Sequence, residues 1–495
     1  MLTENVGARI LNIITESLYD KPIVVFREYV QNSADSFSKI DGEASKEDLS
    51  IQIWQKANHL YFLDNGRGIE QNRFESAMIK IASSHKNKEI NMGYKGIGRL
   101  SGISYCNKLI FINICSYSKC IFQKYVIDGD KYNEVKNDEK YYEMGFSELM
   151  NEIGSYDSEI KGSEIDEIQN LLSPRQKMFE KQDTGFLVIL EDIKPILKQT
   201  IEGSKFFNEL GWLLPVKFKD ELFQSAACQL FIDLSEAVEG GIVPAKAYDI
   251  HFNNIQIERP IGSGALRDYE CKSNFGKYAV SFHSFSRDKI AVQRGNDFVG
   301  IKIYIDNMLL CDETEIVPML QRYGLISHTA NELVQTVKGL GVMIYITDKV
   351  NISSNARRTF IEIADDDSLE FLRLLAEFIE TIYSARYALS RFSSAKKLLE
   401  EEKDKLEVDR DKLEELRKNA NDALRALARA EIVIDSLEYE DDFDFGKLNE
   451  IEQKQAVKRK ISKEINSKTR EYLSQTTTFD YDNAYEDFKI WLLSN

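Results

Sequence analysis

The sequence predicts an α+β protein of two α/β units followed by a helical C-terminal part. Three observations carry this. Short β-favouring runs alternate with helix-like segments through residue 370, a strand-like run ends in the turn sequence Asp64-Asn65-Gly66-Arg67-Gly68-Ile69, and apolar residues recur every seventh position beyond residue 395. The chain has 495 residues, enough for two or three domains with substantial cores.

The turn sequence organises the first unit. Leu60-Tyr61-Phe62-Leu63 is apolar and β-favouring, so it reads as a strand. Gly66 and Gly68 then allow sharp turns and positive φ. An aspartate at the end of a buried strand, followed by bare backbone, could accept a hydrogen bond from a ligand's exocyclic amine, and the glycines would let a flat ring approach. A plain hairpin is the alternative. Upstream, in Val24-Val25-Phe26-Arg27-Glu28-Tyr29-Val30-Gln31-Asn32-Ser33-Ala34-Asp35, the residues Glu28, Asn32 and Asp35 stand at i, i+4 and i+7, on one face of a helix. Downstream, Gly93-Tyr94-Lys95-Gly96-Ile97-Gly98-Arg99-Leu100-Ser101-Gly102 resembles a loop opening a helix, whose free N–H groups can hold phosphates. It is not a P-loop, because Arg99-Leu100 stands where Lys and Ser/Thr are needed, and Ser101 replaces the third glycine of G-x-G-x-x-G.

Helix, D-N-G-x-G-I turn and G-x-K-G-I-G loop, in this order, resemble the Bergerat ATP-binding α/β sandwich of gyrase, the ninety-kilodalton heat-shock chaperones, histidine kinases and MutL, the GHKL superfamily. The stretch from Phe26 to Ser36 is most similar to the chaperone helix. Ala8–Ile14 with Leu18-Tyr19 resembles the helix that precedes it, and Thr184–Leu190 the threonine-glycine strand that closes the pocket. The resemblance implies ATP and Mg²⁺ as ligands. Asp64 would accept from the adenine amine, with Asn65, Gly66, Gly68, Ile69 and Thr184 around the base and Asp35 on the same helix. Asn32 would ligate Mg²⁺ through its carbonyl oxygen. Glu28 would take a proton from the attacking water. Lys95, Gly96, Ile97, Gly98 and Arg99 would wrap the phosphates. A histidine kinase has no need of Glu28, and His328 resembles a phosphoacceptor only faintly.

The boundaries can then be placed. Residues 1–220 are the expected nucleotide domain. Ser50–Trp54 alternates as a strand, Ser83–Lys88 matches a short ATP lid, and 127–182 is an insertion with a helix at Glu164–Leu172. Phe206–Pro215 should be its exit helix. Residues 221–370 are the expected transducer-like α/β domain, with strands at Cys228–Leu234, Tyr248–Ile257, Tyr278–Phe285, Gly300–Leu309 and Val342–Ile346 and a helix at Glu332–Val337. The loop Lys349–Arg358 resembles the chaperone element that reaches the γ-phosphate, so Arg357, Arg358 and Lys349 are candidates for that contact; an ion pair is the alternative.

Residues 371–440 read as a long helix or coiled coil. Leu399, Leu406, Leu413, Ala420, Leu427 and Ile434 form one seam, and Leu416, Ala423, Ala430 and Leu437 the other, with Glu402 and Asp409 interrupting its first half. Such a helix would run on the order of 65 Å and would serve a homodimer, an intramolecular hairpin or its own domain. Residues 441–495 form an acidic and aromatic helical tail.

Net charge is −17, which argues against bulk affinity for nucleic acid or anionic membrane and leaves a local basic groove open. No signal peptide or membrane-spanning run is read, so a cytoplasmic protein is expected. The six cysteines, Cys106, Cys115, Cys120, Cys228, Cys271 and Cys311, form no C-x-x-C pair and read as reduced thiols without zinc. Two functions are consistent with these features. One is an ATPase whose nucleotide state drives lid closure and dimerisation, a chaperone-like or MORC-like conformational machine acting on a protein client or in bacterial defence. The other is a nucleotide-sensing scaffold with negligible turnover that recruits a partner effector.

Overall fold

The structure is a computed structural model that describes residues 7–9, 11, 21–37, 49–80, 98–219, 247–260, 270–275, 278–283, 300–305, 307–326, 341–346, 353–354 and 361–362, with scattered helical positions between 366 and 419. It is a mixed α/β protein built on an eight-stranded sheet in the order β5-β4-β3-β6-β2-β1-β7-β8. The strands are β1 (Ser50–Lys56), β2 (His59–Asp64), β3 (Lys108–Ser116), β4 (Ile121–Asp128), β5 (Gly154–Asp157), β6 (Gly185–Glu191), β7 (Asp249–Phe252) and β8 (Ile255–Gln256). All neighbours run antiparallel except β1 and β7.

Period-two alternation divides the side chains between two cores. Ile51, Ile53, Leu60, Phe62, Leu109, Phe111, Val188 and Leu190 point to the face covered by helix α1 (Val24–Phe37), which contributes Phe26, Tyr29 and Val30. Trp54, Tyr61, Leu63, Ile110, Ile112 and Leu187 point to the other face, where α5 (Ser163–Leu172) and the 3₁₀ turn after it bring Ile168, Leu172 and Phe179. A sheet covered on both faces buries its strands, which is why these strands carry apolar residues in both registers.

Around this frame lie α2 (Phe74–Ile79), α3 (Gly129–Lys136), α4 (Phe146–Ile153), α6 (Pro195–Glu202) and α7 (Phe206–Leu213). The segment expected as an insertion folds against the sheet: Asp128 caps α3 by accepting from the amides of Asp130 and Lys131 at 3.0 Å, and β5 pairs with β4.

Three expectations are corrected. Tyr248–Ile257 is not one strand but the hairpin β7–β8, turned at Asn253 and Asn254 with φ of 49° and 64°. Gly300–Leu309 likewise splits into β11 (Gly300–Ile305) and β12 (Met308–Asp312) at Asn307, φ 63°. Asparagine tolerates the left-handed region, so both turns form without glycine. Finally, the site-bearing sheet does not end at residue 220, because β7 pairs with β1 through Ser50–Asp249 to Ile53–Phe252.

Beyond it, β9 (Glu270–Phe275) pairs with β10 (Tyr278–His283), and β11 sits between β12 and the parallel β13 (Gly341–Ile346). Helix α8 (Glu313–Arg322) follows β12, capped by Asp312, which accepts from the Thr314 amide at 2.9 Å. The two-residue strands β14 (Ser353–Ser354) and β15 (Ile361–Glu362) pair antiparallel. The lid at Ser83–Lys88, the strand at Cys228–Leu234, the helix at Glu332–Val337 and the heptad seam lie outside the described residues. Among the described residues no helix is long and apolar enough to cross a membrane.

Candidate functional site

Helix α1 is buried along most of its length, and its partly exposed positions fall at Val24, Glu28, Asn32 and Ser36. Steps of four residues advance about 40° each around a helix, so this stripe slants across it. Three of its members are polar, and they span about 12 Å of axis. Asp35, seven residues after Glu28 and so on the same side of the helix, is 2% exposed.

At the Ser36 end lies the turn after β2. Asp64 is 3% exposed; its Oδ2 accepts from Ser33 Oγ at 2.7 Å and its Oδ1 from the Gly66 amide at 2.9 Å. Burial pushes the carboxyl up to about 6, while the bonds from Ser33 and Gly66 pull it back down. Ser36 Oγ accepts from the Gly68 amide at 3.3 Å, and Thr184 Oγ1 donates to the Gly66 carbonyl at 2.9 Å, tying the turn to the start of β6.

The glycines of the turn serve the scaffold. A Cβ on Gly66 would collide with Ser36 Oγ and come within 2.9 Å of Asp64 Oδ1. On Gly68, at φ 64°, it would sit 2.9 Å from Asn113 Oδ1 and 3.0 Å from the Gly185 carbonyl. So protein groups, rather than a ligand's ring, occupy the space these glycines open. Asn65 is also committed to the scaffold: its Oδ1 accepts from the Ser50 amide at 2.9 Å and its Nδ2 donates to the Met178 carbonyl at 2.8 Å.

The Glu28 end meets the end of the glycine loop. A Cβ on Gly98 would collide with Glu28 Oε2 and lie 3.1 Å from its Cδ, so the carboxylate rests directly against the glycine backbone. From Gly98 the chain forms not a regular helix, as the loop sequence suggests, but two 3₁₀ turns, Gly98–Leu100 and Ile103–Tyr105. Tyr29, one residue beyond Glu28, pins them. Its hydroxyl donates to the Arg99 carbonyl at 3.1 Å and accepts from the Gly102 amide at 3.0 Å, and burial raises its pKa. The Arg99 guanidinium donates to the carbonyls of Met78, at 3.3 Å, and Lys80, at the end of α2.

The fold thus brings Glu28, Asn32, Asp64, Gly66, Gly68, Ile69, Gly98 and Thr184 around one site, with Ser33, Ser36, Tyr29 and Asn113 as supports that the motifs do not announce. A serine one residue after Asn32 is the only visible signal for them, and it has no meaning without the strand it faces. Lys95, Gly96, Ile97, Lys349, Arg357 and Arg358 lie outside the described residues.

The donor set fits an adenine nucleotide with a hard divalent cation. A buried carboxylate stands at one end of the stripe, a second carboxylate against the glycine backbone at the other, and a carboxamide between. Asn32 would supply an oxygen to Mg²⁺, which prefers such neutral and anionic oxygens together with waters and phosphate.

A polar stripe between a strand-end aspartate and a glycine loop, on a helix packed across a largely antiparallel sheet, resembles the sites of the GHKL ATP-binding class. Sequence comparison agrees: residues 21–159 match the family described as histidine kinase-, DNA gyrase B- and HSP90-like ATPase. A stretch of 124 residues is 28% identical to the chaperone protein HtpG of Polaromonas sp. strain JS666. That alignment covers 21% of this chain and 20% of the chaperone, so only about a fifth of the relative's length is shared.

Proposed function

We propose that the protein binds ATP with Mg²⁺ and hydrolyses it to ADP and phosphate. The observation that carries this reading is Glu28 seated against Gly98, one helical turn from Asn32 and at the opposite end of the stripe from Asp64. Asp64, ionised, accepts from the adenine amine and so selects adenine over guanine, which lacks a donor there. Asn32 holds the cation, which when bound offsets the charge of the phosphates. Glu28 orients a water for in-line attack and takes its proton. The backbone of the loop through Gly98 supplies N–H groups to the phosphate oxygens. Lys95 adds charge there, and Lys349 or Arg357 is assigned the γ-phosphate contact.

Nucleotide binding closes the lid at Ser83–Lys88 and favours a homodimer through the nucleotide domain or the heptad seam, and hydrolysis releases it. The role is that of a chaperone-like or MORC-like conformational machine with a protein client, in a cytoplasmic setting. Support comes from the family of residues 21–159 and the partial likeness to HtpG.

The test is steady-state ATP hydrolysis with Mg²⁺ at several protein concentrations, wild type beside Glu28→Ala. Glu28→Ala is expected to bind ATP with unchanged affinity and to lose hydrolysis by about 10²-fold or more. Turnover per molecule should rise with protein concentration. Hydrolysis that survives Glu28→Ala removes Glu28 from the reaction; binding without turnover in the wild type leaves the nucleotide-sensing scaffold.

A further inference from the structure

We propose that Asn113, Gln123 and Tyr156 form a relay that positions the base-binding turn, a reading that rests on the ATP site above. The turn leaves the sheet at Asp64, so Ile69 has no strand neighbour for its backbone. One side chain replaces that neighbour. Asn113 Oδ1 accepts from the Ile69 amide at 2.9 Å, and Asn113 Nδ2 donates to the Ile69 carbonyl at 2.7 Å.

Asn113 is in turn held by Gln123, directly opposite it in the β3–β4 register, whose Oε1 accepts from Asn113 Nδ2 at 2.9 Å. Gln123 Nε2 donates to the Gln71 carbonyl at 3.1 Å and to Tyr156 Oη at 3.0 Å. The two amides are 1% and 4% exposed, so each of these bonds forms in a low-dielectric setting where an unmet partner is costly. Both carboxamides have donor and acceptor engaged, which fixes their orientation as well as their place.

The site depends on this relay in two ways. It grips the chain at Ile69 and Gln71, just past Gly68, and Asn113 Oδ1 lies 2.9 Å from where a Gly68 Cβ would go. Beside the bonds from Ser36 and Thr184, the far side of the turn is therefore held from β3 and β4. The last member, Tyr156, lies on β5 within the 127–182 segment, so that segment supports the base end of the pocket from the sheet's edge. Phe74, which leads α2, packs on the same tyrosine with ring centroids 6.0 Å apart.

The relay acts on the base, so it should affect ATP and ADP alike. The experiment is calorimetric titration of the full chain with ATP and with ADP in Mg²⁺, alongside saturating-ATP turnover and a thermal melt. Asn113→Leu keeps the volume and removes both Ile69 bonds. It is expected to raise the Kd for ATP and ADP by the same factor, about tenfold, with stoichiometry and kcat within about twofold of wild type. Tyr156→Phe removes only the far end and should raise both values about twofold to threefold.

A folded Asn113→Leu whose Kd values stay at wild type, or whose stoichiometry falls while Kd holds, overturns the relay and leaves Asn113 a purely structural residue. Should Asn113→Leu fail to fold, Gln123→Leu and Tyr156→Phe decide it, and unchanged Kd in both overturns the proposal. Asp64→Asn separates the two readings. If it binds ATP like wild type, the ATP site itself is wrong and the relay falls with it; if it loses ATP while the relay variants keep it, the relay alone is wrong.

Discussion

At the residue scale, Asp64 carries two opposed pH dependences. Its carboxyl is raised to about 6 by burial, above its ordinary value of 3.8. The folded protein then holds a proton more tightly than the unfolded chain does between those values. Asp64's contribution to stability is therefore full below about 3.8 and is lost as pH rises through about 6. Nucleotide binding has the opposite sign, because only the ionised carboxylate accepts from the adenine amine with both oxygens also serving Ser33 and Gly66. ATP affinity measured by calorimetry should rise from pH 5 to pH 7, and Asp64→Asn should bind ATP poorly across the whole range. A flat wild-type profile would mean that the base does not meet Asp64. Glu28, Asn32 and Asp64 are legible in the sequence because their chemistry is local to their motifs. Asn113 and Ser36 are not, since their meaning depends on strands that meet only after folding. The glycines are legible as positions without room for a side chain, but the occupant differs from the ligand ring the sequence suggests: Ser36, Asn113 and the Gly185 backbone fill the space.

At the scale of elements, α1 ties the two halves of the site together through Tyr29. Its hydroxyl bridges the Arg99 carbonyl and the Gly102 amide, so the 3₁₀ turns after the glycine loop are referenced to the helix that carries Glu28. Tyr29→Phe leaves a buried amide without its acceptor and should lower stability by about 1–2 kcal/mol. It should also lower kcat severalfold with little change in Kd, because the loop end drifts from Glu28 while the base end stays held. Chemical denaturation and single-turnover hydrolysis check the two parts separately. Strands β1, β2 and β6 and helices α1, α5 and α7 can be read from periodicity over runs of six residues or more. The turns at Asn253-Asn254 and Asn307 cannot, as apolar residues resume directly after each without a glycine or proline to mark the break. The 3₁₀ character at Gly98–Leu100 is equally hidden, because hydrogen bonds from a tyrosine 70 residues away decide it.

At the scale of the molecule, the site-bearing sheet is bonded to the β11–β12 hairpin by buried guanidinium groups that donate to neutral oxygens. Arg27, next to Glu28, donates to the Leu309 carbonyl at 2.6 Å. Arg259 is fully buried: Nη1 donates to Asn307 Oδ1 at 2.8 Å, and Nη2 to the carbonyls of Asn307 at 3.0 Å and Leu214 at 3.1 Å. Its guanidinium lies 4.3 Å from the Tyr304 ring centroid and 5.1 Å from that of Phe218. A planar fork of five donors suits such a junction, since it meets several carbonyls and two ring faces at once, which a lysine could not. The sequence shows only an arginine before a proline, with nothing to mark it as the joint between a helix end and a distant hairpin. Arg259→Met retains much of the apolar contact and removes the fork, orphaning the Leu214 and Asn307 carbonyls. A loss of about 2–3 kcal/mol is expected, in line with leaving buried neutral acceptors without their donor. Because the severed hydrogen bonds join two sheets rather than fill one core, the melt should also split: a transition from the β11–β13 part should precede that of the nucleotide-binding sheet. ATP should raise the later transition alone in the variant, and both together in the wild type. A single unshifted calorimetric transition in Arg259→Met would show that the sheets are joined by other means.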